Sequence, residues 1–382
     1  MNNVIKRSLF GEIIECLEDG KIALLFGTRR VGKTTLLNEV INYYNARGAK
    51  SLLINCDTIR GQKSLDTTND QELANLIKDV DILAVDEAQN VESIGKTLKI
   101  IHDVFPKVKA IATGSSSFDL ANKTGEPLVG RMHQFLLYPF SAEELRQATN
   151  AFEVNYNVEN FLKYGMYPCI YGKSALKIQQ ELESLVSGYL YKDLLAFDGI
   201  RNSNQILKLL QCLALQIGSE VSFNELSNKL QISANTVKKY IDLLEKCFVI
   251  FSLPALSRNI RNEIAGNRTR KIYFYDIGVR NALIEDFRGM DLRNDIGGVW
   301  ENFCIAELRK KAQRENRFPK FYFWRTTDQK EIDLLEEENG EFSAYEFKYS
   351  PRKEAKLPAN FNKHYQVKNF SVINSENWHK YF

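Results

Sequence analysis

Short apolar runs alternate with helical patterns along the first 150 residues. The runs lie at residues 22–26, 51–56, 82–85, 108–117 and 132–138. Continuous apolar runs of this length, separated by amphipathic helices, are typical of parallel strands buried on both faces. The pattern therefore predicts an α/β fold whose first domain, residues 1–150, is built on a parallel sheet.

Three further patterns follow this domain. From 151 to 204, apolar residues recur at three- and four-residue steps, which predicts a helical lid or linker. Residues 205–260 combine two short amphipathic helices with a strand, FVIFSL, and predict a winged helix-turn-helix. In residues 261–382 the strand KFYFWR precedes a hairpin with an Asn-Gly turn, which predicts a second α/β domain.

The composition is that of a soluble globular protein with several domains. The chain has 382 residues, of which 44% are hydrophobic and 26% charged. Such a length suits two or three domains, each with its own core. The formal net charge of +3 gives the whole molecule no strong attraction for nucleic acid, so any basic surface is local.

The cysteines and the N-terminal segment indicate a reducing compartment. Six cysteines are scattered without a Cys-x-x-Cys pair, which argues against a zinc site and a disulfide framework. Residues 1–20 form an amphipathic pattern that lacks the apolar core of a signal peptide, and a run of about 18 apolar residues is absent from the sequence. We therefore expect a cytoplasmic protein with buried thiols and no membrane partner.

A glycine-rich segment after the first apolar run, GTRRVGKTT, matches the phosphate-binding P-loop. Its glycines let backbone N–H groups and the following helix N-terminus point at phosphate oxygens. Lys33 is expected to reach the β- and γ-phosphates, and Thr34 to bind Mg²⁺. An accidental glycine turn, the alternative, does not explain the strand before and the helix after. The predicted ATP-binding residues are Gly27, Thr28, Arg29, Arg30, Val31, Gly32, Lys33, Thr34 and Thr35.

The apolar run at 82–85 ends in Asp86 and Glu87, which complete such a site. Parallel strands carry their ligand-binding groups at their carboxyl ends. There Asp86 is expected to hold Mg²⁺, and Glu87 to orient and activate the attacking water. A glutamate beside this acid, in a Walker B pattern, indicates ATP hydrolysis rather than nucleotide binding alone.

Two more polar candidates belong to neighbouring strands. Thr113 or Ser115 would contact the γ-phosphate or the water as a sensor, and the alternative is a hydroxyl-rich turn after Gly114. Arg131 is a candidate arginine finger, acting on its own or a neighbouring subunit. The alternative is an exposed arginine at the start of a strand. Since a finger acting in trans requires a ring or dimer, the oligomeric state stays open.

The segments GTRRVGKTTLL, VDEAQ, TGSSS, LVGR and YPFSAEEL resemble, in order and spacing, a family of prokaryotic AAA-type P-loop ATPases. The resemblance covers most of the chain. It implies an ATPase core in residues 1–150, a helical lid in 151–204, a winged helix in 205–260 and, in 261–382, a domain of unknown function with a restriction-endonuclease-like fold. One departure is Met166, which stands where relatives tend to have a second glycine.

The C-terminal segment EIDLLEEENGEFSAYEFK resembles the motif of metal-dependent nucleases with that fold. Asp333 precedes the hairpin, and Glu346 and Lys348 share one face of the next strand. The two carboxylates suit Mg²⁺, and the lysine would orient the attacking water. The resemblance adds Glu301, at the start of a helix, as a further metal-binding acid, whereas Ile332 replaces the proline of the motif. The alternative is a solvated acidic hairpin without an ion.

The middle of the chain offers two candidate contacts with nucleic acid. The second helix of the predicted winged helix would place Asn235, Thr236 and two lysines in a DNA groove. Winged helices attached to ATPases also dock on protein partners or on their own chain, which is the alternative. A basic stretch after it would follow a phosphate backbone or form a solvated loop. Its basic residues are Arg258, Arg261, Arg268, Arg270 and Lys271.

Two function classes follow. In the first, ATP hydrolysis regulates a nucleic-acid-processing enzyme whose C-terminal site cuts DNA or RNA. In the second, the chain is a signalling or assembly ATPase switch whose C-terminal module only binds a protein partner or nucleic acid. The intact set of Asp333, Glu346 and Lys348 favours the first class, and the balanced net charge favours the second.

Overall fold

The chain divides into two compact units. The first is Met1–Tyr138 with Lys246–Phe248, and the second is Pro139–Glu245 with Val249–Phe382. Each unit has its own β-sheets. A computed structural model describes residues 5–114, 128–189, 203–256, 270–326 and 328–382.

The first unit is built on a five-stranded sheet with the order β2-β3-β4-β1-β5. Its strands are β1 (Ile22–Phe26), β2 (Ser51–Asn55), β3 (Ile82–Asp86), β4 (Lys109–Gly114) and β5 (Met132–Leu136). Its helices are α1 (Phe10–Glu18), α2 (Lys33–Asn45), α3 (Ile59–Leu65), α4 (Asp70–Leu76) and α5 (Ile94–Val104).

All strand pairs in this sheet are parallel. Strands β1 and β3 are buried at every position, which explains their continuous apolar sequences. Because the strands are parallel, the loops after Phe26, Asp86 and Gly114 all begin at the carboxyl ends of the strands, on the same side of the sheet. The predicted parallel α/β core is confirmed, and it fits a P-loop NTPase.

The second unit begins with helices. They are α6 (Ala142–Ala148), α7 (Ala151–Tyr156), α8 (Val158–Tyr164) and α9 (Ala175–Ser184), and a π-helical turn, Leu185–Tyr189, follows. Ser141 and Glu144 form a capping box at the start of α6. The helical pattern predicted here is present in the residues that the structure describes, while residues 190–202 lie outside them.

A helix-turn-helix segment with a small antiparallel sheet comes next. Its elements are α10 (Ser203–Leu215), β6 (Glu220–Val221), α11 (Phe223–Leu230), α12 (Ala234–Lys246), β7 (Ile250–Pro254) and β8 (Arg270–Phe274). The strand order is β6-β8-β7. Helix α12 turns Val237, Ile241 and Leu244 inward, and Ser222 caps α11 by accepting a hydrogen bond from the N–H of Glu225 at 3.3 Å.

The C-terminal part contains a mixed four-stranded sheet with the order β12-β11-β10-β9. Strands β10 and β11 form the predicted hairpin, and β11 pairs with β12 in parallel. Asn339 and Gly340 both have positive φ angles, 54° and 84°, as a tight hairpin turn requires. The elements are α13 (Ile277–Leu283), α14 (Ile296–Arg314), β9 (Lys320–Arg325), β10 (Glu331–Glu338), β11 (Glu341–Phe347), α15 (Ala359–Asn362) and β12 (Val367–Ile373).

Helix α14 is the central helix of this unit. It has 19 residues, and charged residues such as Glu301, Glu307 and Lys310 are buried on it beside Trp300 and Phe303. Near its start, a Cβ on Gly298 would lie 2.5 Å from the carbonyl oxygen of Ile217. The close approach of another backbone therefore requires glycine at this position.

Within the ranges that the structure describes, none of the helices combines the length and the hydropathy that a bilayer crossing demands. The six cysteines are free thiols. Of these, Cys16, Cys56, Cys247 and Cys304 are buried, whereas Cys169 and Cys212 are partly exposed.

We predict opposite stability effects for two neighbouring glycines of α14. Gly298→Ala should lower the free energy of unfolding by about 1–3 kcal/mol, because the new Cβ clashes with backbone. Gly297→Ala, where a Cβ meets only open space, should raise it by up to about 1 kcal/mol through helix propensity. All three tryptophans lie in the second unit, so urea unfolding followed by tryptophan fluorescence measures this effect. Equal midpoints for the two variants would contradict the prediction.

Candidate functional site

The P-loop follows β1 and leads into α2. Gly27 has a φ of 155°, and a Cβ there would lie 2.6 Å from the carbonyl oxygen of Leu137. Gly32, the N-cap of α2, is left-handed with a φ of 100°. Any residue with a side chain would be strained at either position, which explains why the motif has glycine at both.

Lys33 is buried and its ammonium group is held by the loop itself. Its Nζ donates hydrogen bonds to the carbonyl oxygens of Gly27 and Thr28 at 2.9 and 3.0 Å. The positive charge therefore lies inside the loop whose N–H groups precede a helix N-terminus. This combination is suited to an anionic phosphate.

The end of β3 is joined to the P-loop by a hydroxyl group. Thr34 donates to the Oδ2 atom of Asp86 at 2.9 Å, and Thr113 of β4 donates to its Oδ1 atom. Thr113 is fully buried, and its hydroxyl also accepts a hydrogen bond from the N–H of Glu87 at 3.1 Å. Two strands and the P-loop thus fix the orientation of the Asp86 carboxylate.

Glu87 lies just beyond the strand. It is half-buried, has a left-handed φ of 54°, and accepts a hydrogen bond from the side-chain amide of Gln89. Its carboxylate therefore lies just after the strand, next to Asp86, and is held by the hydrogen bond from Gln89. The structure brings Lys33, Thr34, Asp86 and Glu87 together at one edge of the sheet, as the sequence predicts.

The other predicted nucleotide-site residues line the same loop. Val31 is buried, Arg30 is exposed with a φ of 60°, and Thr34 and Thr35 begin α2 on its exposed side. Thr28 is buried and Arg29 is half-buried. Ser115, the second sensor candidate, lies outside the described residues.

Arg131 lies near the amino ends of the parallel strands, whereas the P-loop lies at their carboxyl ends. Strand β5 runs parallel to β1, with Met132 beside Ile22, so Arg131 is near the amino end of β1. The P-loop follows the carboxyl end, roughly 16 Å away for a five-residue strand. The Arg131 guanidinium contacts both oxygens of Asp103, at 2.7 and 3.0 Å. Within one chain, the structure does not bring Arg131 to the P-loop.

A second cluster of charges occupies the C-terminal sheet. Asp333 accepts a hydrogen bond from the N–H of Phe347 at 2.8 Å, which ties β10 to the end of β11. Lys348 contacts Glu346 at 2.7 Å and Asp333 at 3.4 Å. The structure thus brings together the three residues of the predicted motif.

Strand β10 has a β-bulge at Asp333. The pairing of β10 with β9 shifts by one residue between Ile332 and Leu335. Bulges bend a strand and redirect a side chain, and they are common beside functional sites. Asp333 lies in this irregular part of the strand, while the regular pairing of β10 with β11 sets it opposite the end of β11.

Glu301 of α14 joins this cluster from another direction. Its Oε1 atom accepts hydrogen bonds from the Lys271 ammonium at 2.8 Å and the Tyr273 hydroxyl at 2.5 Å. Lys271 also pairs with Glu331 at 2.5 Å. Lys271 and Tyr273 belong to β8, so two separate segments of the chain build this site.

Burial raises the pKa of two acids here. Desolvation and repulsion from Asp333 raise the pKa of the Glu346 carboxyl to about 7, although Lys348 favours the ionised form. Desolvation also raises the pKa of the Glu301 carboxyl to about 7, against the effect of Lys271. Both carboxyls therefore change charge near neutral pH.

The two lysines behave differently. Desolvation lowers the pKa of the Lys271 ammonium, but Glu301 and Glu331 together raise it above its usual value. For Lys348 too, desolvation lowers the pKa, but the neighbouring acids Asp333 and Glu346 raise it above its usual value. Both lysines are therefore cations at neutral pH.

Oxygen ligands suited to Mg²⁺ occur at both sites. Thr34 and Asp86 offer a hydroxyl and a carboxylate to an ion in the P-loop, and Asp333 and Glu346 offer two carboxylates. Among the residues that the structure describes, however, no group of three His, Cys, Asp or Glu side chains lies close enough together to hold a metal ion. Glu301 faces Lys271 instead.

Three residues outside the predicted site residues shape these sites. Arg7 is buried and donates to the carbonyl oxygen of Val31 at 3.0 Å and to that of Tyr138, so it fixes the P-loop from outside the motif. Nothing in its flanking residues indicates this. Lys271 and Tyr273 have a signal, since polar groups two residues apart in the apolar strand RKIYF share one face.

One expectation is wrong. Lys271 belongs to the basic stretch that the sequence predicts to follow a phosphate backbone or to form a solvated loop, but its side chain is 3% exposed and paired with acids, so it does neither. The sequence shows only that the residue is basic, whereas its burial beside two acids determines that it pairs with protein groups. Arg258, Arg261 and Arg268 lie outside the described residues.

The raised pKa of Glu346 predicts a pH effect on stability. A carboxyl with a pKa of about 7 in the folded state, above its ordinary value of 4.5, binds more protons folded than unfolded. Stability is then lost as the pH rises from about 4.5 to 7. Relative to wild type, Glu346→Gln should gain roughly 1–3 kcal/mol in stability between pH 5 and pH 8.

Urea unfolding followed by tryptophan fluorescence at pH 5 and pH 8 measures this difference. The matched control is Glu341→Gln on the same strand, where the side chain is 43% exposed. We expect the control to have the same effect at both pH values. A Glu346→Gln effect that does not change with pH would contradict the prediction.

Three family models match consecutive parts of the chain. Residues 19–146 match an AAA domain, residues 155–289 a domain of unknown function (DUF8612), and residues 296–379 another domain of unknown function (DUF4143). An uncharacterized protein of Mycobacterium tuberculosis is 25% identical over 350 residues, which cover 90% of this chain and 74% of that protein. An uncharacterized protein of Haemophilus influenzae is 23% identical over 325 residues, covering 81% and 79%.

Solved structures give weaker likenesses. AMPPCP-bound DnaA from Aquifex aeolicus is 16% identical with a TM-score of 0.32, over 64% of this chain and 90% of that one. The Pif1 helicase from Candida albicans is 12% identical with a TM-score of 0.28, over 69% and 61%. At TM-scores this low, no functional inference follows. Residues 19–146 match an AAA domain, and their parallel sheet and P-loop geometry fit a P-loop NTPase.

Proposed function

We propose that the first unit binds ATP with Mg²⁺ and hydrolyses it. The observation that carries this proposal is the set of hydrogen bonds that runs from Thr34 through Asp86 to Thr113 and the N–H of Glu87. It links the P-loop to the strand end that carries the candidate catalytic acid. The hydrogen bond from the N–H of Glu87 to Thr113 supports this acid next to the two groups that would hold Mg²⁺, as hydrolysis requires.

The roles of the residues follow from their positions. Lys33 would exchange the loop carbonyls for phosphate oxygens, and Thr34 and Asp86 would hold Mg²⁺, which neutralises phosphate charge when bound. Glu87, next to them and half-buried, would orient the attacking water and accept its proton. Thr113 would keep Asp86 and Glu87 in register rather than contact the nucleotide itself.

The C-terminal module extends the proposal to nucleic acid. The paired acids with Lys348 support a restriction-endonuclease-like, metal-dependent phosphodiesterase, whose lysine would orient the water and stabilise charge on the phosphate. The order helix, strand, two helices and two strands in residues 203–274 supports a winged helix beside it. ATP hydrolysis would then regulate cleavage of DNA or RNA.

A switch without nuclease activity is the second candidate. It is favoured by the ion pairs of Lys348, whose single ammonium group contacts both motif acids. In that case the C-terminal module would bind a protein partner or nucleic acid, and nucleotide state would control the binding.

Two substitutions should separate nucleotide binding from hydrolysis. Lys33→Ala should abolish ATP binding, since it removes the buried cation of the loop. Glu87→Gln should retain binding and slow hydrolysis at least about 100-fold, because the candidate base is lost. Equilibrium binding of a fluorescent ATP analogue and phosphate release measure the two steps. The controls are the exposed Lys63→Ala and Glu92→Gln. Full hydrolysis by Glu87→Gln would rule out its catalytic role.

Cleavage assays distinguish the two candidate functions. Linear, single-stranded and circular DNA and RNA would be incubated with Mg²⁺ or Mn²⁺, with and without ATP. The first candidate predicts cleavage that Asp333→Ala abolishes and that Lys33→Ala makes insensitive to ATP, while the exposed Asp328→Ala behaves as wild type. If ATP is hydrolysed but no nucleic acid is cut, the phosphodiesterase is excluded and the switch is supported.

A further inference from the structure

The nuclease-like site contains a cation that its motif does not include. Lys271 of β8 reaches Glu301 at 2.8 Å and Glu331 at 2.5 Å, and its side chain is 3% exposed. The ammonium group also lies over the ring of Phe323, 5.4 Å from its centroid. Two carboxylates and an aromatic face thus surround a charge that bulk water barely reaches.

Glu301 is enclosed by protein on both of its oxygens. Lys271 and the Tyr273 hydroxyl donate to Oε1. On the other side, a Cβ at Gly218 would lie 3.1 Å from Oε2, and Gly218 has a φ of 77°. A metal ion could bind this carboxylate only by displacing Lys271 or the packing at Gly218.

We propose that Lys271 is a fixed cation that takes the place of a metal ion at Glu301. The site then holds a single divalent ion, at Asp333 and Glu346, with the ammonium of Lys271 as the second positive charge. This inference rests on the proposed phosphodiesterase-like site and specifies its ligands. Lys271 is a positioning residue, because it acts through Glu301 and Glu331 rather than by touching a substrate.

The electrostatic reason is the balance of charge in a buried acidic site. Sites with two metal ions use the second ion to neutralise acids and developing negative charge. A buried ammonium group supplies one positive charge permanently, whereas a metal ion must bind from solution. Here strand β8 carries that group. The acids Asp333, Glu346, Glu301 and Glu331 are thereby shared between one exchangeable ion and two lysines.

The arrangement also joins two regions that match different family models. Lys271 and Tyr273 lie within residues 155–289, whereas Glu301 and the motif acids lie within 296–379. The acidic site is therefore composite. The C-terminal region alone would lack the partner of Glu301.

The test measures Mn²⁺ binding to the full chain without nucleotide, by titration calorimetry, and does not depend on activity. Wild type should bind one ion that Asp333→Asn loses. Lys271→Met should tighten Mn²⁺ binding and Glu301→Gln should weaken it, each roughly tenfold, because a neighbouring charge is removed. The double variant Lys271→Met with Glu301→Gln removes both charges of the pair and should bind one ion within about threefold of wild type.

The control is the double variant Lys310→Met with Glu307→Gln. It removes another buried pair of the same helix, 2.7 Å apart and at most 5% exposed, and should leave Mn²⁺ affinity unchanged. Binding of a second ion by wild type at the site, or loss of more than about tenfold in affinity in the Lys271/Glu301 double variant, overturns the inference because Glu301 is then a metal ligand. Absence of any ion sensitive to Asp333→Asn overturns the metal-dependent function as well, so the two failures are distinguishable.

Discussion

A charge inside a protein is tolerated where an opposite charge pairs with it or polar groups hydrogen-bond to it, and both sites of this chain are organised by that constraint. Lys33 rests on two loop carbonyls, and Asp86 is held by two threonines. In the second unit, Glu301 is held by Lys271. The partners of Asp86 and Glu301 come from other strands or helices, so each of these two charges fixes the relative position of two elements.

Helix α14 shows how far this constraint extends in the second unit. Its Glu307 accepts a hydrogen bond from the N–H of Ala142 at 2.7 Å, at the start of α6, and its Lys310 donates to the carbonyl oxygen of Phe140 at 2.9 Å. The same helix carries Glu301 one to two turns earlier. The start of the second unit is therefore anchored on the helix that contributes to the C-terminal acidic site.

The boundaries of the matched families do not coincide with those of the structure. Three models match the chain, whereas it forms two compact units, and the second unit contains both regions of unknown function except for Lys246–Phe248. The pair formed by Lys271 and Glu301 crosses the boundary between these regions. Separating the two residues would leave an unpaired buried charge, so the pair ties the two regions together.

Much of the fold follows from local sequence. The apolar runs predict the parallel strands, the glycines of GTRRVGKTT the P-loop, and the Asn-Gly pair the hairpin turn, since each depends on nearby residues and on steric limits that few residue types satisfy. The sequence also identifies Lys33, Asp86, Asp333 and Glu346 as candidates, because their spacing relative to strand ends is local information.

The burial and pairing of charges were decided by tertiary structure. Arg131 lies at the sheet edge away from the P-loop because β5 is parallel to β1, and no local pattern specifies that neighbour. Lys271, which is basic in a stretch of basic residues, becomes a buried partner of Glu301 only when β8 lies against α14. Residue spacing determines which groups a strand presents, whereas contacts between segments far apart in sequence determine which charge each group meets.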